Sequence, residues 1–440
     1  MTDAARHTAV IGAGWAGCAA AVELAAAGRV VTLFEAARTP GGRARQVTFH
    51  GLSLDNGQHI LLGAYRDTLR LMRQVGIDPD TAMLRLPLQM RYPPGSGMDF
   101  VAPALPAPWH LLVALWRASG LTRTDKLALM RFSSAARWMD WHLNTDCSVT
   151  ELLARFDQTA TLVQLMWRPL CIAALNTPPE RASAQVFLNV LKDSLGARRA
   201  SSDMLLPRCD LSSLFPDQAA RYVEQHHGRL LAGTRITGIV QQDGGWQLAS
   251  AATTHHADDI VLATDNGNAA TLLAPLTDVS ALQALNHEPI TTCYLQYPPD
   301  RRLPEPFHAL IDDPQQQRWG QFVFDRGQLD TRHDGLFAVV VSASTEAIAA
   351  GQATLAAAIA QQLAQAFSRP ELTVPIWSQV ISEKRATFSC TPGLLRPDHR
   401  TAFASLMLAG DYTASAYPAT IESAVRSGVT AARALLANDE

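Results

Sequence analysis

The opening of the chain, TAVIGAGWAGCAAAVELAAAGRVVTLFEAARTPGGRAR, constrains the fold more than any other stretch. An apolar run from Thr8 to Ile11 predicts a strand, Gly12-x-Gly14-x-x-Gly17 follows without a break, and Ala19 to Ala27 is alanine-rich enough to predict a helix. Strand, glycine turn and helix in that order form the context a dinucleotide fingerprint requires. Gly12 makes the tight turn, Gly14 lets the backbone approach a pyrophosphate, and Gly17 lets the helix pack close to the strand. The free N–H groups of the helix N-terminus then face the phosphates. A second strand, Val30 to Phe34, ends at Glu35, eighteen positions after Gly17, where a carboxylate accepts the hydroxyls of an adenosine ribose. This fingerprint alone serves NAD and FAD alike. Gly41-Gly42-Arg43-Ala44 adds two glycines that bring the chain near a cofactor and an arginine able to reach its phosphate or ribose side.

At 440 residues the chain exceeds the usual size of a single core, so two interleaved or consecutive domains are expected. A formal net charge of -3 without any basic block argues against a nucleic-acid partner. Cys18, Cys147, Cys171, Cys209, Cys293 and Cys390 show no CxxC or Cys/His clustering. They read as small apolar side chains in a reducing compartment, with no metal site. MTDAARHTAV lacks the apolar core of a signal peptide, and no stretch reaches the roughly eighteen apolar residues that span a bilayer, so a cytoplasmic location is expected. Ala102 to Trp116, APALPAPWHLLVALW, is followed by Arg117, Arg123, Lys126 and Arg131. It reads either as a monotopic dip into a membrane surface or as a core helix of the second domain.

Along the chain, Ala44 to Phe49 predicts a strand and His50-Gly51 a turn. Leu54-Asp55-Asn56-Gly57-Gln58-His59 then places an acid, two amides and an imidazole ahead of an apolar run, as wall material for the ring end of a ligand or as a hydrophilic turn. From Tyr65 to Ser202 the periodicity is mainly helical, cut by proline-rich linkers, and holds Trp109, Trp116, Trp138, Trp141 and Trp167. Such a layer suits a greasy substrate and suits an ordinary helical core equally. Gly228 to Ile239 and Gly245 to Ser250 read as strands around an Asp243-Gly244-Gly245 turn, and Asp259 to Ala263 as a buried strand that returns to the nucleotide-binding half. Residues 290–297, Phe337 to Ser342 and Thr373 to Ile381 predict further strands, and Thr354 to Phe367 a helix. Ala404 to Ala409 predicts a strand ending at Gly410-Asp411, and a final helix opens at Tyr417-Pro418, with the proline in its first turn.

A Gly-Asp pair after a strand can lay its amide and carboxylate on a ribityl and phosphate chain, while the following helix turns its positive end to the N1/C2 carbonyl region of a reduced flavin. This second constellation selects FAD over NAD. The expected class is α/β: a Rossmann-like FAD-binding domain with an interleaved mixed α/β, partly helical substrate domain. Residues 1–75, 205–270 and 380–440 are assigned to the former. The helical insertion 76–204 and the sheet and helices of 271–379 are assigned to the latter.

GAGWAG, GGRAR, LDNGQHILLGAY, LNTPPERAS, EKRATF and AGDYTASAYPATIESAVRSG together resemble the squalene-associated FAD-dependent desaturase group of the amine oxidase and phytoene desaturase superfamily. The resemblance runs from the N-terminus to the last helix. It implies that Gly12, Gly14, Trp15, Ala16, Glu35, Ala36, Gly42 and Arg43 hold the ADP half, alongside Gly17 of the fingerprint. It further implies that Gly57, Gln58 and His59 line the flavin, that Ile236 touches adenine through its backbone, and that Gly410, Asp411, Thr420 and Ile421 hold the ribityl chain and ring. The implied activity, in squalene and hopanoid biosynthesis, is reductive removal of the hydroxyl of hydroxysqualene: an allylic alcohol loses water and reduced flavin delivers a hydride. The implied partners are a long isoprenoid hydrocarbon, the inner face of the cell membrane as a peripheral contact, and upstream squalene-pathway enzymes. For the acid that helps the hydroxyl leave, the candidate is His59, with Asp55 orienting it and Arg385 as a further polar group. Two other readings remain: a flavin oxidoreductase that desaturates a carotenoid precursor or oxidises an amine inside an aromatic cage, and a non-catalytic flavin- or lipid-binding protein.

Overall fold

The computed structural model describes residues 6–196, 198–242 and 244–438. The opening run forms strand β1 (His7–Ile11), and Gly14 is the N-cap of helix α1 (Trp15–Ala26), whose small side chains let it be buried along nearly its whole length. Strand β2 (Val30–Phe34) pairs parallel with β1, Phe34 opposite Ile11. A hairpin of β3 (Gln46–Phe49) and β4 (Leu52–Asp55) then carries the DNGQH cluster away from this sheet. Helix α2 (Arg66–Gln74) follows, and the insertion contains α3 (Trp109–Arg117), α4 (Arg123–Trp138) and α5 (Ala184–Leu195). Its tryptophans divide: Trp141 and Trp167 are buried, whereas Trp109, Trp116 and Trp138 are exposed. The stretch from Ala102 to Trp116 is therefore not a fully buried core helix.

The chain returns through β5 (Arg229–Leu231), parallel to β2. A three-stranded antiparallel sheet comes next, β6 (Ile236–Gln242), β7 (Gly245–Ser250) and β8 (Thr254–Ala257). Of the turn expected between β6 and β7, Asp243 lies outside the described residues, as do residues 1–5 of the N-terminal segment. Strand β9 (Asp259–Leu262) pairs parallel with β1 on the side opposite β2. A larger antiparallel sheet consists of β10 (His287–Gln296), β11 (Phe307–Ala309), β12 (Phe322–Asp325), β13 (Leu336–Ser342) and, beyond helix α6 (Gln352–Ala366), β14 (Trp377–Phe388). Its order is β11-β12-β13-β10-β14. Strand β15 (Leu406–Leu408) then pairs parallel with β9 and completes the first sheet in the order β5-β2-β1-β9-β15. Helix α7 (Ile421–Leu436) closes the chain against α1.

Two elements depart from expectation. Strand β14 starts at Trp377, because Pro370–Thr373 forms a short 3-10 turn, and it continues to Phe388, across the boundary placed at 379/380. Helix α7 starts at Ile421 and not at Tyr417: Thr420 is its N-cap, with Oγ1 accepting the Ser423 N–H at 3.1 Å. Pro418 therefore precedes the cap, and its carbonyl accepts the Ser423 hydroxyl at 2.7 Å.

What joins the two ends of the sequence is a helix pair without a side chain between the backbones. A Cβ at Gly428 of α7 would collide with the carbonyl oxygen of Ala16 in α1. Overpacking a tight contact costs about 1–3 kcal/mol. Gly428→Val should lower stability by about that amount in urea unfolding at fixed cofactor concentration; an unchanged midpoint would show that the two helices separate freely.

Candidate active site

The site is built where the parallel sheet presents the ends of β1, β2 and β15. Gly12 adopts φ +104°, and a Cβ there would lie 2.6 Å from the carbonyl oxygen of Ala263, at the end of the neighbouring strand. Only glycine satisfies both conditions. Gly17 is equally constrained, since a Cβ there would collide with the Gly12 carbonyl. Gly14 faces Gly41 in an isolated parallel bridge, and a Cβ at Gly42, itself at φ +62°, would lie 3.1 Å from Gly14 Cα. Two backbones thus approach each other with no side chain between them, directly ahead of a helix end that no side chain caps. Such an arrangement can cradle a diphosphate.

Glu35 terminates β2 with both carboxylate oxygens held: Oε2 accepts the Ala13 N–H at 2.9 Å and Oε1 the Ala37 N–H at 2.8 Å. Each oxygen keeps a further lone pair for a ribose hydroxyl. The Glu35 carbonyl accepts the Thr234 N–H at 2.8 Å, which brings the start of β6, and hence Ile236, to the same end. Ala36 is exposed beside Glu35. Trp15 and Ala16 stand in the first turn of α1, where backbone N–H groups lack intrahelical partners. The Trp15 side chain is turned inward as a brace: its Nε1 donates to the Ala44 carbonyl at 3.1 Å and its ring packs on Phe215.

The C-terminal segment meets this cradle through Arg43. One guanidinium nitrogen lies 2.6 Å from Asp411 Oδ1, and the other donates to the Ala386 carbonyl on β14 at 2.6 Å. Gly410 is held by donation of its N–H to Ser427 Oγ, and Thr420 and Ile421 open α7 close by in the chain. A cavity of about 200 Å3 opens at this junction, lined in part by Arg43, Asp411, Tyr412, Glu383 and Arg385. Two buried hydroxyls in the region, Tyr412 Oη and Thr292 Oγ1, have no hydrogen-bond partner within the protein. Backbone cradle, ribose acid, basic anchor and orphaned hydroxyls together fit FAD.

The DNGQH cluster forms the inner wall. Asn56 donates to the Arg43 carbonyl at 3.1 Å and to Glu383 at 3.3 Å. Gln58 is clamped, its Nε2 donating to Tyr294 Oη and its Oε1 accepting from the buried Arg326, each at 3.0 Å. Tyr294 Oη in turn donates to the Asp55 carbonyl at 2.8 Å. Gly57 stands between His59 and Thr292: a Cβ there would lie 3.8 Å from each side chain. His59 Nδ1 lies 2.9 Å from the Gly57 carbonyl, which can only accept, so Nδ1 carries the hydrogen and Nε2 presents a lone pair. Burial holds the His59 pKa below the usual imidazole value, the Gly57 carbonyl partly opposes this, and the charge of Arg43 adds to it. The resting imidazole is neutral.

Asp55 does not orient that ring. Its carboxylate points the other way and accepts the Leu211 N–H at 2.8 Å, which ties the hairpin to the first residue of the short helix Leu211–Leu214. Burial pushes the Asp55 carboxyl up to about 6, against the pull of the Arg326 charge and the Leu211 N–H. Arg385 stands at the rim, its side chain 66% exposed, 3.9 Å from Asp265. The three expected catalytic residues are thus not one constellation: His59 belongs to the wall, Asp55 braces it from behind, and Arg385 sits at the mouth. Sequence reasoning missed Tyr294, Thr292 and Arg326. Tyr294 and Thr292 lie in the alternating run that predicts β10, but nothing in FVFDR marks Arg326 as a buried cation. Among the described residues no group of three His, Cys, Asp or Glu side chains is placed to hold a metal.

A family model described as flavin containing amine oxidoreductase matches residues 15–436. The hydroxysqualene dehydroxylase of Rhodopseudomonas palustris is 29% identical, covering 97% of this chain and 98% of its own. That of Zymomonas mobilis is 27% identical over the same shares. Among solved structures, cyclohexylamine oxidase from Brevibacterium oxydans IH-35A superposes with a TM-score of 0.70 at 17% identity, covering 99% of both chains, a likeness of fold.

Two outcomes follow from the geometry. Glu35→Ala removes the acceptor for the ribose and frees two loop N–H groups, so the variant should purify with FAD depleted at least ~tenfold by its visible absorbance, the equivalent of about 1.4 kcal/mol. For Asp55, the folded pKa of about 6 lies above the ordinary aspartate value of about 4. The folded state therefore binds this proton more tightly than the unfolded one, and the stabilisation is present below about pH 4 and lost as pH rises through about 6. Asp55→Asn should consequently gain on the natural protein between acidic and neutral pH in paired urea titrations, and a pH-independent gap would refute the raised ionisation.

Proposed function

The chain belongs to the flavin containing amine oxidoreductase family and is an FAD-dependent oxidoreductase, and from that premise we propose that it reductively removes the hydroxyl of hydroxysqualene to give squalene, in squalene and hopanoid biosynthesis. The observation that carries the substrate is the near full-length likeness to proteins named for that reaction. An amine-oxidising alternative is disfavoured by the placement of the tyrosines beside α7. The Tyr417 hydroxyl donates to Asp193 and its ring lies under Arg426, while among the described residues no second aromatic ring packs against Tyr412. This pair does not form a cage.

Loss of water from an allylic alcohol needs a proton at the departing oxygen and a surround that keeps water from the cation. His59 is the proton donor in this reading. With Nδ1–H fixed on the Gly57 carbonyl, any further proton must sit on Nε2, and the lowered pKa makes that form a stronger acid than an ordinary imidazolium. The proton passes from Nε2 to the hydroxyl oxygen, the C–O bond breaks with its electron pair, and water leaves. Reduced FAD, when bound, supplies the hydride that fills the vacant carbon orbital. Asp55, Tyr294, Gln58 and Arg326 keep the wall rigid while charge develops beside it. Arg385 and Asp265 form the polar rim. The helical insertion supplies the water-poor surround, and the enzyme works as a peripheral protein at the inner face of the cell membrane, beside the enzymes that make its substrate.

Anaerobic addition of hydroxysqualene to the photoreduced holoprotein should reoxidise the flavin with formation of squalene, whereas phytoene should leave it reduced. A flavin that stays reduced with hydroxysqualene would reject the reading. Because the protonated imidazole is the acid, kcat/KM should fall as pH rises through a pKa below 6.5. His59→Gln should abolish that limb and lower kcat by about 10²–10⁴.

A further inference from the structure

The outer faces of α3 and α4 carry an apolar surface that no other element covers. Trp109 is 61% exposed, Trp116 77% and Trp138 90%, and Leu112, Leu127 and Met130 are exposed with them. Spacing explains the exposure. On α3, residues 109, 112 and 116 share one helical face, opposite the buried His110, Ala114 and Leu115. On α4, residues 127, 130 and 138 face away from the buried Ala128, Leu129, Phe132 and Ala136. The Lys126 ammonium donates to the Trp116 carbonyl at 2.8 Å, so the end of α3 abuts the first turn of α4.

Between Trp109 and Trp138 the exposed charge has one sign, and the next acid in the sequence, Asp140, is paired with Lys192. Arg117, Arg123, Arg131 and Arg137 are exposed. Asp125 is the only acid between Trp109 and Trp138, and it is buried and fully engaged, accepting from the Thr122 N–H and from the hydroxyls of Thr122 and Thr159. This surface is cationic on a chain whose net charge is -3. A second copy docking here by two-fold symmetry would set arginines against arginines. Tryptophan suits the boundary between headgroups and acyl chains, and an arginine fringe suits anionic lipid. Among the described residues no helix is long and apolar enough to cross a bilayer.

We propose that the outer faces of α3 and α4 form a monolayer-docking surface specific for anionic lipid, with Trp109, Trp116 and Trp138 inserted and the four arginines on the headgroups. This deepens the functional reading by naming the surface from which the hydrocarbon is taken, and rests on that reading only for the identity of the cargo. Each arginine near an anionic surface contributes about a factor of five.

The test is sedimentation of the FAD-loaded protein with phosphatidylcholine vesicles, with and without phosphatidylglycerol, alongside turnover of detergent-solubilised hydroxysqualene. Binding should be on the order of several hundredfold tighter with phosphatidylglycerol, four factors of about five, and should weaken with salt. The variant with all four arginines changed to Gln should lose that preference, and W109S/W116S/W138S should lose at least ~tenfold on either membrane. Both variants, altered only at the surface, should keep the flavin spectrum and detergent turnover. Natural protein that stays in the supernatant, variants that bind as before, or a concentration-dependent dimer that protects Trp138 would overturn the proposal. Vesicle binding without turnover would instead reject the dehydroxylation reading and leave the docking surface standing.

Discussion

A backbone-to-backbone contact between Gly428 and Ala16 lets the last helix lie on the first, and the active site depends on that approach. With α7 against α1 and β15 against β9, the Gly410-Asp411 turn arrives beside the glycine cradle, and Asp411 meets Arg43. The magnitudes separate what holds the fold from what shapes the site. A partly exposed ion pair contributes about 0–1 kcal/mol, whereas helix burial through Val425, Val429 and Leu435 amounts to about 1.5–3 kcal/mol for each side chain. Arg43 and Asp411 therefore do little to glue the ends together. Their role is geometric: each charge fixes the other in a cleft whose ligand carries charge of its own.

The sheet that builds the cradle was legible because its signals agree. In the first strand, turn and helix, local propensity, glycine placement and terminal acid all point to the same unit. Legibility failed where two signals competed. Around α7 the sequence offers a proline at 418 and a threonine at 420, both valid helix starts, and the hydrogen bond from Ser423 to Thr420 decides for the second. Strand β14 was read short at its far end because EKRATF is polar, yet it pairs with β10 through Glu383 and again at Thr387 and Phe388. Hydropathy does not report a strand edge whose side chains line a polar cleft. The partners of Gln58 were out of reach altogether: Tyr294 and Arg326 come from strands far along the chain, and only the tertiary fold brings them to one amide.

The same tertiary fold separates two residues that proximity in sequence had coupled. Asp55 and His59 lie four positions apart, but Asp55 ends a strand while His59 follows a glycine turn, so their side chains leave the backbone in different directions. Each then takes a nearer partner, the Leu211 N–H for the carboxylate and the Gly57 carbonyl for the imidazole. The consequence is chemical. A carboxylate on Nδ1 would raise the basicity of the ring and keep it charged near neutral pH; a neutral carbonyl does so far less, and burial with Arg43 prevails. The wall of the site thereby presents an imidazole whose charged form is disfavoured by burial and by the charge of Arg43, which is itself paired with Asp411.

Solubility carries the argument from the site to the surface. Each methylene moved from water into an apolar surround is favoured by about 0.8 kcal/mol, so a long isoprenoid resides almost wholly in lipid. An enzyme that waited for it in water would face a vanishing concentration, whereas one seated on a membrane meets it at the concentration of the hydrocarbon layer. The insertion between Trp109 and Trp138 satisfies both demands with two helices: inward, Leu115, Leu129 and Phe132 join the continuous core that reaches the large sheet, and outward the tryptophans face solvent. Three tryptophans exposed on consecutive helices form an apolar face of the kind that marks an interaction surface. In the docking proposed above, a lipid surface would cover these rings and supply the substrate in the same contact.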